Sequence, residues 1–288
     1  MMTRVLSTLL LALLPLCGTA ATADRLDTIS DLLRDYQLES GVPVADLDRR
    51  SLSRLAQGET LQRKVKVTRS SSGGNDTTTV RIIGYRLIDK PRERLWLAAL
   101  AFDGGFSERL TEHLVRTHDD GGASWYQHVD MPWPLRDRHW LIRTGKGVAL
   151  ARRMDDRIWE HHWRLEPDAE SRIAGLLGQT PIPGLDPKRA SKAVQLPLNN
   201  GAWVMATLDD AQTLVVVHAT MDMGGIVPDV LVNRYTKKQL QSMLERIESQ
   251  ADTAMEQYDS DYIIYRGDGT AIAPPAAAAA TRPPDESS

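Results

Sequence analysis

Residues 130–143, D-M-P-W-P-L-R-D-R-H-W-L-I-R, constrain the fold of this chain most. Two prolines flank Trp133; each fixes φ, removes a backbone donor and restricts its predecessor to extended geometry. The first half of the stretch is therefore predicted to be a rigid extended corner. A charged turn leads from it into a strand over residues 139–143, and residues 124–129 upstream also have strand character. Two strands joined by a corner that carries tryptophans predict sheet segments that enclose an apolar region.

The composition is that of an ordinary globular chain. Its 288 residues leave room for one large or two small domains. A hydrophobic fraction of 42% and a charged fraction of 25% are enough for a sizeable core. The formal net charge is −3, and the aromatic residues are not interleaved with Lys and Arg, so no nucleic-acid partner is predicted.

Residues 1–23 have the pattern of a secretory signal peptide. Arg4 provides the positive start, residues 5–16 form an apolar stretch too short to span a bilayer, and Ala21-Thr22-Ala23 offers a cleavage site. An alternative is lipid attachment at Cys17, although a bulky leucine precedes it. Cleavage after residue 23 would remove the only cysteine, and the protein is expected to be exported to the periplasm or secreted without disulfides.

The first part of the predicted domain reads as helix, helix, hairpin, helix. Residues 24–54 begin with an amphipathic helix that a Gly-Val-Pro sequence interrupts, and residues 46–56 form a second short helix. Residues 60–69 and 77–88 alternate as two strands of a hairpin. A helix over residues 92–102 follows, with Pro91 at its start.

The middle of the chain is predicted to be mainly antiparallel strands. These predicted strands are 111–117, 146–153, 157–165, 201–208 and 213–221. Residues 166–192 are rich in Pro and Gly and are expected to be mostly loop, with a short helix near 173–177.

The last large element is an amphipathic helix over residues 228–255, which would be ~40 Å long. Its apolar stripe contains Val230, Leu231, Leu240, Met243, Leu244 and Ile247. The folded domain is expected to cover residues 24–265, and the Ala- and Pro-rich residues 266–288 are expected to be a disordered tail.

The order of elements and two motifs resemble the START lipid-transfer family. The sequence 132–140, P-W-P-L-R-D-R-H-W, resembles the W-P-x-x-x-R-D corner of that family. The sequence 225–233, G-I-V-P-D-V-L-V-N, resembles its G-x-[IV]-P-x-x-L-[VI]-N entry into the last helix. The resemblance covers roughly residues 25–258. It departs from the family in the long segment 166–192 and in His139, where an acid is more usual.

The resemblance implies an α+β helix-grip fold, in which a curved antiparallel sheet wraps around the long C-terminal helix. It implies binding and transfer of a lipid or other hydrophobic small molecule in an apolar cavity, gated by that helix, with no cofactor, no metal and no enzymatic activity. The expected partners are that ligand and, transiently, a membrane, and the protein is expected to be a monomer. Sites for such ligands are mostly apolar with a few polar anchors. The candidate ligand contacts are therefore Arg138, Trp140, Trp159, Trp163, Trp203, Met205, His218, Val230, Leu231, Leu240, Met243, Leu244 and Ile247.

Each candidate contact also has an ordinary structural interpretation. The tryptophans can fill the core instead of lining a cavity, and the stripe of the last helix can be core packing instead of a lid. Arg138 can anchor a polar head group or pair with Asp137 or Asp130. His218 can bond a ligand hydroxyl or be a satisfied core histidine.

Two other functions are compatible with the sequence. A helix-grip enzyme of the cyclase or hydrolase kind would need a cavity His–carboxylate pair, such as His218 with Asp222 or His161 with Glu160. Glu160 and His162 share a strand face, but two ligands are too few for a zinc site. A protein-interaction module with a filled core is the other alternative.

Overall fold

The structure, a computed structural model, describes residues 17–44, 46–69, 77–100, 109–179, 181–224, 229–257 and 264–272. Within these ranges the side chains of residues 17–22, 69, 77, 229–237, 255 and 257 are not described. Among the described residues, no helix combines the length and the apolar character that crossing a membrane would require.

Seven α-helices and one short 3-10 helix lie in the described part of the chain. The helices are α1 (Cys17–Ser40), α2 (Arg49–Ala56), α3 (Arg92–Leu100), α4 (Val148–Arg153), α5 (Ala169–Gln179), α6 (Pro187–Ala190) and α7 (Asp229–Gln250), and the 3-10 helix covers Ala254–Gln257. The amphipathic stripe predicted for α1 is real, since Leu26, Ile29 and Tyr36 are buried. Asp48 caps α2 by accepting from the Ser51 backbone N–H at 2.8 Å.

Nine of the strands form one sheet. Its strands are β1 (Leu61–Arg69), β2 (Thr77–Ile88), β3 (Leu110–Thr117), β4 (Ala123–Val129), β5 (Arg138–Lys146), β6 (Ile158–Leu165), β7 (Val194–Gln195), β8 (Leu198–Asp209) and β9 (Gln212–Asp222). The order across the sheet is β1-β2-β9-β8-β6-β5-β4-β3, with antiparallel neighbours throughout, while β7 pairs in parallel with β5. The α+β fold class predicted from the sequence is therefore confirmed.

The two faces of the sheet carry different helices. Because side chains alternate along a strand, directly paired residues of neighbouring strands share a face. One face, the α1 face, packs Ile83, Val204 and Val216 against α1 and α2. The opposite face, the α7 face, packs its side chains against α3 and α7; on β6, β8 and β9 these side chains are Trp159, Trp203, Met205, Val215 and Val217.

One predicted strand is a helix. Residues 146–153 were expected to pair with β6, but the chain leaves β5 at Lys146 and turns into α4. Two of the four apolar side chains of α4, Leu150 and Ala151, are buried. The four apolar residues 148–151 fit either the alternation of a strand or one turn of a helix, so the period of such a short run does not distinguish a strand from a helix.

The corner around Trp133 does not form part of an apolar wall, contrary to expectation. The Trp133 side chain is 93% exposed, and both flanking prolines are exposed as well. The buried tryptophan of this stretch is Trp140, on β5. Asp137 stabilises the corner by accepting a hydrogen bond from the Met131 backbone N–H at 2.9 Å.

The segment 166–192 contains more helix than expected. The short helix predicted near residues 173–177 is confirmed and is longer, as α5. Ile173 of α5 packs with Tyr126 and Leu141 on the α1 face of β4 and β5. α6 follows, with Asp186 as its N-cap and Pro187 at its start.

The chain after α7 returns to the core. A two-stranded hairpin, β10 (Ile264–Tyr265) and β11 (Ala271–Ile272), buries Ile264 and Ile272 beside α3 and α7. The predicted end of the domain at residue 265 falls inside this hairpin. Residues 273–288, expected to be a tail, lie outside the described residues.

Candidate functional site

The α7 face collects most of the predicted ligand contacts. Trp159, Trp203, Met205, Leu240, Met243, Leu244 and Ile247 belong to one apolar cluster. Trp163 joins this cluster to a second one, which contains Trp140. The predicted contacts Val230 and Leu231 fall on side chains outside those described.

Gly84 lets α7 approach the sheet closely. A Cβ atom at this position of β2 would lie 3.2 Å from Leu244 Cδ1 and 3.7 Å from Leu240 Cδ2. It would also lie 3.3 Å from Val217 Cγ1 on the neighbouring strand. The second half of α7 is therefore seated over β2 and β9, where the sheet lacks a side chain.

An aromatic surface continues on the same face beyond the part of the sheet that Leu240 and Leu244 cover. Trp163 on β6 lies over Gly201 on β8, since a Cβ at Gly201 would be only 2.4 Å from Trp163 Cζ2. Trp163 remains partly exposed, and so does Trp125 on β4. We refer to Trp125, Trp140, Ile142, Trp163 and Leu165 as the aromatic surface.

One polar ring lies on this face between two of the tryptophans. His161 lies between Trp159 and Trp163 on the same face of β6. Its ring packs edge-on against Trp96 of α3, with 6.1 Å between the ring centroids. Its Nδ1 atom is buried and has no hydrogen-bond partner among the described residues. Burial lowers the pKa of His161 to about 3, so the imidazole is neutral at ordinary pH.

Arg138 binds backbone carbonyls rather than an acid. Its guanidinium donates to the carbonyl oxygens of Met223 at 2.6 Å and Gly224 at 2.9 Å, just before α7. Asp137, one of the expected partners, instead accepts two hydrogen bonds from Arg189, each 2.8 Å long. The side chain is buried, and it holds the chain at the entry to α7.

His218 does not lie with the other predicted contacts, because it is on the α1 face. Its Nε2 atom lies 2.8 Å from the Tyr36 hydroxyl. That hydroxyl also donates to Glu160 Oε2 at 2.8 Å, and Glu160 Oε1 lies 3.2 Å from His162 Nδ1. His218 is therefore a partnered core histidine beneath α1, which was one of its two interpretations.

Electrostatics fixes the charges in this buried network. Burial would raise the pKa of Glu160, but hydrogen bonds from His162 and Tyr36 outweigh it, and the pKa is lowered. Burial lowers the pKa of His218 to about 4. The network therefore consists of a carboxylate that accepts hydrogen bonds and a neutral imidazole whose Nε2–H points at the Tyr36 oxygen.

The two pairs named for an enzymatic alternative do not form among the described residues. His218 contacts Tyr36, while Asp222 is exposed and accepts from the Gly224 backbone N–H. His161 and Glu160 point to opposite faces of the sheet. The one described group with metal-like spacing is His128, Asp130 and Asp137, and Arg189 already pairs with both carboxylates.

Sequence reasoning assigned no site role to several residues of these surfaces, although the helical periodicity does turn Tyr36 and Trp96 inward. Trp96 is fully buried on the α7 face and donates to the Tyr265 carbonyl at 2.9 Å. Arg81 and Tyr36 are buried polar groups on the α1 face, and their partners lie far away in sequence. For Arg81, the available signal was a polar residue at an apolar position of an alternating pattern, which indicates burial without identifying a partner.

Comparisons with known proteins return matches of fold at low identity. No family model matches the sequence, and no curated protein matches it. A STAR-related lipid transfer protein fragment from Xanthomonas axonopodis is 14% identical and covers 65% of this chain and 98% of its own, with a TM-score of 0.43. Human StAR-related lipid transfer protein 5 is 11% identical and covers 81% and 98%, with a TM-score of 0.44. The Zhui aromatase/cyclase from Streptomyces is 15% identical and covers 67% and 94%, with a TM-score of 0.38.

These matches concern the fold and say nothing about what this chain binds. The arrangement itself is visible in the chain's own topology. An antiparallel sheet turns one apolar face toward the C-terminal helix α7, and Gly84 lets that helix lie directly on it. The chain therefore has the START-like helix-grip fold that its motifs predict.

Proposed function

We propose that the protein binds a lipid or another hydrophobic small molecule between the aromatic surface and α7. The observation that carries the proposal is the position of Trp125 and Trp163, which face the α7 side of the sheet and remain partly exposed. Apolar rings on a concave or partly covered face are the usual lining of sites for such ligands. The half-buried Met243, at the border of the same face, provides an adaptable side chain.

A polar group on the ligand would find one partner on this face. The buried Nδ1 of His161 lacks a hydrogen bond among the described residues, and an unpaired buried nitrogen costs about 1–3 kcal/mol. A ligand hydroxyl or amide N–H could satisfy it if the nitrogen is unprotonated. This supports a mostly apolar ligand with a hydrogen-bonding group that reaches His161.

The same face supports a carrier rather than an enzyme. Among the described residues, no carboxylate lies within ion-pair distance of His161, so the acid–base pair that hydrolysis or cyclisation would use is missing there. The His–carboxylate contacts of the described residues, His162 with Glu160 and His128 with Asp130 and Asp137, involve side chains on the α1 face of β6 and β4.

The binding test uses native mass spectrometry of the protein as isolated and titration with a fluorescent fatty acid and a fluorescent sterol. Trp163→Ala should weaken binding at least tenfold, and Trp133→Ala, which removes an exposed ring outside the aromatic surface, should leave it unchanged. Absence of any co-purified lipid, together with no saturable binding of either probe, would reject the proposal.

Gating by α7 is part of the proposal. Gly224 has φ +62, a conformation that glycine adopts without strain, and Arg138 fixes its carbonyl. Movement about this point would change the distance between α7 and the aromatic surface. Bound ligand should then slow amide exchange over residues 224–244.

A matched pair of variants on α7 tests the gate. Met243→Asp places a charge at the border of the apolar face and should weaken binding, because an unpaired charge is costly to bury. Gln241→Asp places the same charge on an exposed position of the same helix and should have little effect. Equal exchange with and without ligand, and equal binding by the two variants, would leave α7 as a fixed structural element.

We further propose that the Pro-Trp-Pro corner makes transient contact with a membrane surface. Trp133 is 93% exposed, and tryptophan favours the interface between lipid and water. Sedimentation with phosphatidylcholine vesicles should decrease in Trp133→Ala. Unchanged sedimentation of Trp133→Ala would remove the corner from the membrane contact.

Export and oligomeric state complete the proposal. Cleavage after Ala23 would remove the first part of α1 and keep its buried stripe from Leu26 onward. N-terminal sequencing of the protein from the producing cell should therefore begin at Asp24, and light scattering should give the mass of a monomer. A retained N-terminus or a lipid on Cys17 would contradict the proposed cleavage.

A further inference from the structure

The α1 face of the sheet ends in a row of polar side chains that the apolar cluster beneath α1 does not include. Four residues on four neighbouring strands pair directly with one another across the sheet. In order across β6, β8, β9 and β2, they are Arg164, Asn200, Thr220 and Arg81. With strands ~4.8 Å apart, the row extends over roughly 14 Å.

This polar row is the floor of a cleft of about 750 Å³. Its other walls come from the ends of β1 and β2, from the chain before β8 and from the turn into α5. The volume lies within the range of small-molecule sites, about 300–1,000 Å³. The polar floor of the cleft faces the side of the sheet opposite the aromatic surface, and Leu165 is the member of that surface that also lines the cleft.

Arg81 is the unusual member of the row. It is only 9% exposed, and its guanidinium donates to Thr220 Oγ1 at 3.1 Å and to the Pro43 carbonyl at 3.1 Å. No carboxylate of the described residues lies within 4.0 Å of it. Guanidinium has five N–H donors, and the two bonds to described acceptors use two of them.

A buried cation without a counter-charge is costly, and other largely buried arginines of the described residues offset that cost in one of two ways. Arg86 on β2 pairs with Glu248 on α7, and Arg92 on α3 pairs with Asp156. Arg138 has no acid partner in the described part of the chain, but it donates to the backbone carbonyls of Met223, Gly224 and Arg136. Among the described residues, Arg81 has no acid partner and only two acceptors, and it borders the cleft. A ligand anion would supply the missing charge.

We propose that this cleft is a second binding site, for a polar small molecule that carries one phosphate or carboxylate group. The anionic group binds Arg81, with Thr220 and Asn200 as hydrogen-bonding neighbours and Arg164 as the second cation of the row. Asp168 and Glu170 on the opposite wall are exposed acids, and Glu166 there is already paired with Arg172. These acids would repel a second negative group, so the rest of the ligand is neutral or positively charged.

The test is an NMR titration of the full chain, labelled at arginine, with inorganic phosphate and separately with acetate. The Arg81 Nε–H signal should shift saturably with at least one of the two anions, and the anion that binds more tightly identifies the chemistry. Arg81→Gln should raise the apparent Kd at least about tenfold, the usual loss of affinity for a charge-assisted hydrogen-bonded anchor. Arg81→Lys should weaken it less, because the charge remains.

Matched variants keep the proposal falsifiable if Arg81→Gln does not fold. Asn200→Ala should weaken binding without removing a charge, while Arg153→Gln, an exposed arginine paired with Glu39 outside the cleft, should change nothing. No saturable shift with either anion, or equal affinity in Arg81→Gln and Asn200→Ala compared with the unaltered chain, would overturn the proposal. Binding of the fluorescent fatty acid should be unaffected by all these variants, which separates this site from the hydrophobic one.

Discussion

The phenol oxygen of Tyr36 lies 2.8 Å from His218 Nε2, although the two residues are 182 positions apart in the sequence. The same oxygen is 2.8 Å from Glu160 Oε2, so a single hydroxyl joins α1 to β6 and β9. Tyr36→Phe would leave a buried carboxylate oxygen and a buried ring nitrogen without this partner. We expect a loss of about 1–3 kcal/mol in the free energy of unfolding, measured by urea denaturation. Tyr265→Phe is the control, and an equal loss in both variants would contradict a special role for the Tyr36 hydroxyl.

The stability of the protein should fall in mild acid because of His218. Burial lowers the pKa of this group from 6.5 to about 4, so between these values the unfolded chain binds a proton that the folded chain does not. The contribution of His218 is complete above pH 6.5 and is lost as pH falls, by about 1.4 kcal/mol per pH unit, until the folded pKa is reached. Urea unfolding at about pH 7 and about pH 5 measures the slope. Burial also lowers the pKa of His161 to about 3 and that of His139 to about 4, so His218→Gln should reduce the slope by the share of His218 and not abolish it. An unchanged slope would contradict a contribution from His218.

Two tryptophans close together in sequence should differ sharply in their effect on stability. Trp140 is 5% exposed, and its Nε1 donates to the Gln127 side chain, whereas Trp133 is 93% exposed. Trp140→Ala should cost about 3–5 kcal/mol through lost burial and the cavity left behind. Trp133→Ala should stay within about 0.5 kcal/mol. Similar unfolding midpoints for the two variants would show that the burial of Trp140 does not contribute as proposed.

The seat of α7 over Gly84 can be tested by a double-mutant cycle. Gly84→Val would place methyl groups against Leu244 Cδ1, which is 3.2 Å from the position of a Cβ atom. This overpacking should cost roughly 1–3 kcal/mol. Leu244→Ala makes room, so the double variant should be more stable than the sum of the single losses predicts. Strict additivity would mean that α7 does not contact β2 at this point.

The sequence predicted the parts of the fold whose periodicity is long and regular. The stripe of α1 from Leu26 to Tyr36 and the alternation of β1 and β6 were assigned correctly, because each repeats over several turns or residue pairs. Residues 148–153 were assigned wrongly, because six residues do not separate a helix from a strand.

Face assignment failed where both sides of a strand are buried. Residues 214–217 of β9, Leu-Val-Val-Val, contribute to both apolar clusters, so nothing in the local pattern shows that the next residue, His218, points toward α1. The exposure of Trp133 could not be predicted either, because two prolines predict an extended corner but not the direction of the ring between them. Arg81 and its cleft depend on strand order, which single-sequence periodicity does not contain.

Asn200 and Gly201 are neighbours in β8, and each belongs to a different surface. Asn200 is in the polar row of the cleft, and Gly201 makes room for the ring of Trp163 on the α7 face. An insertion or deletion of one residue within β8 would exchange the two positions, because every side chain of a strand changes face when its register moves by one. Such a change would put an amide under Trp163 and remove a hydrogen-bonding group from the cleft at the same time. Length variation in β8 therefore affects both surfaces together, whereas point substitutions can alter either one alone.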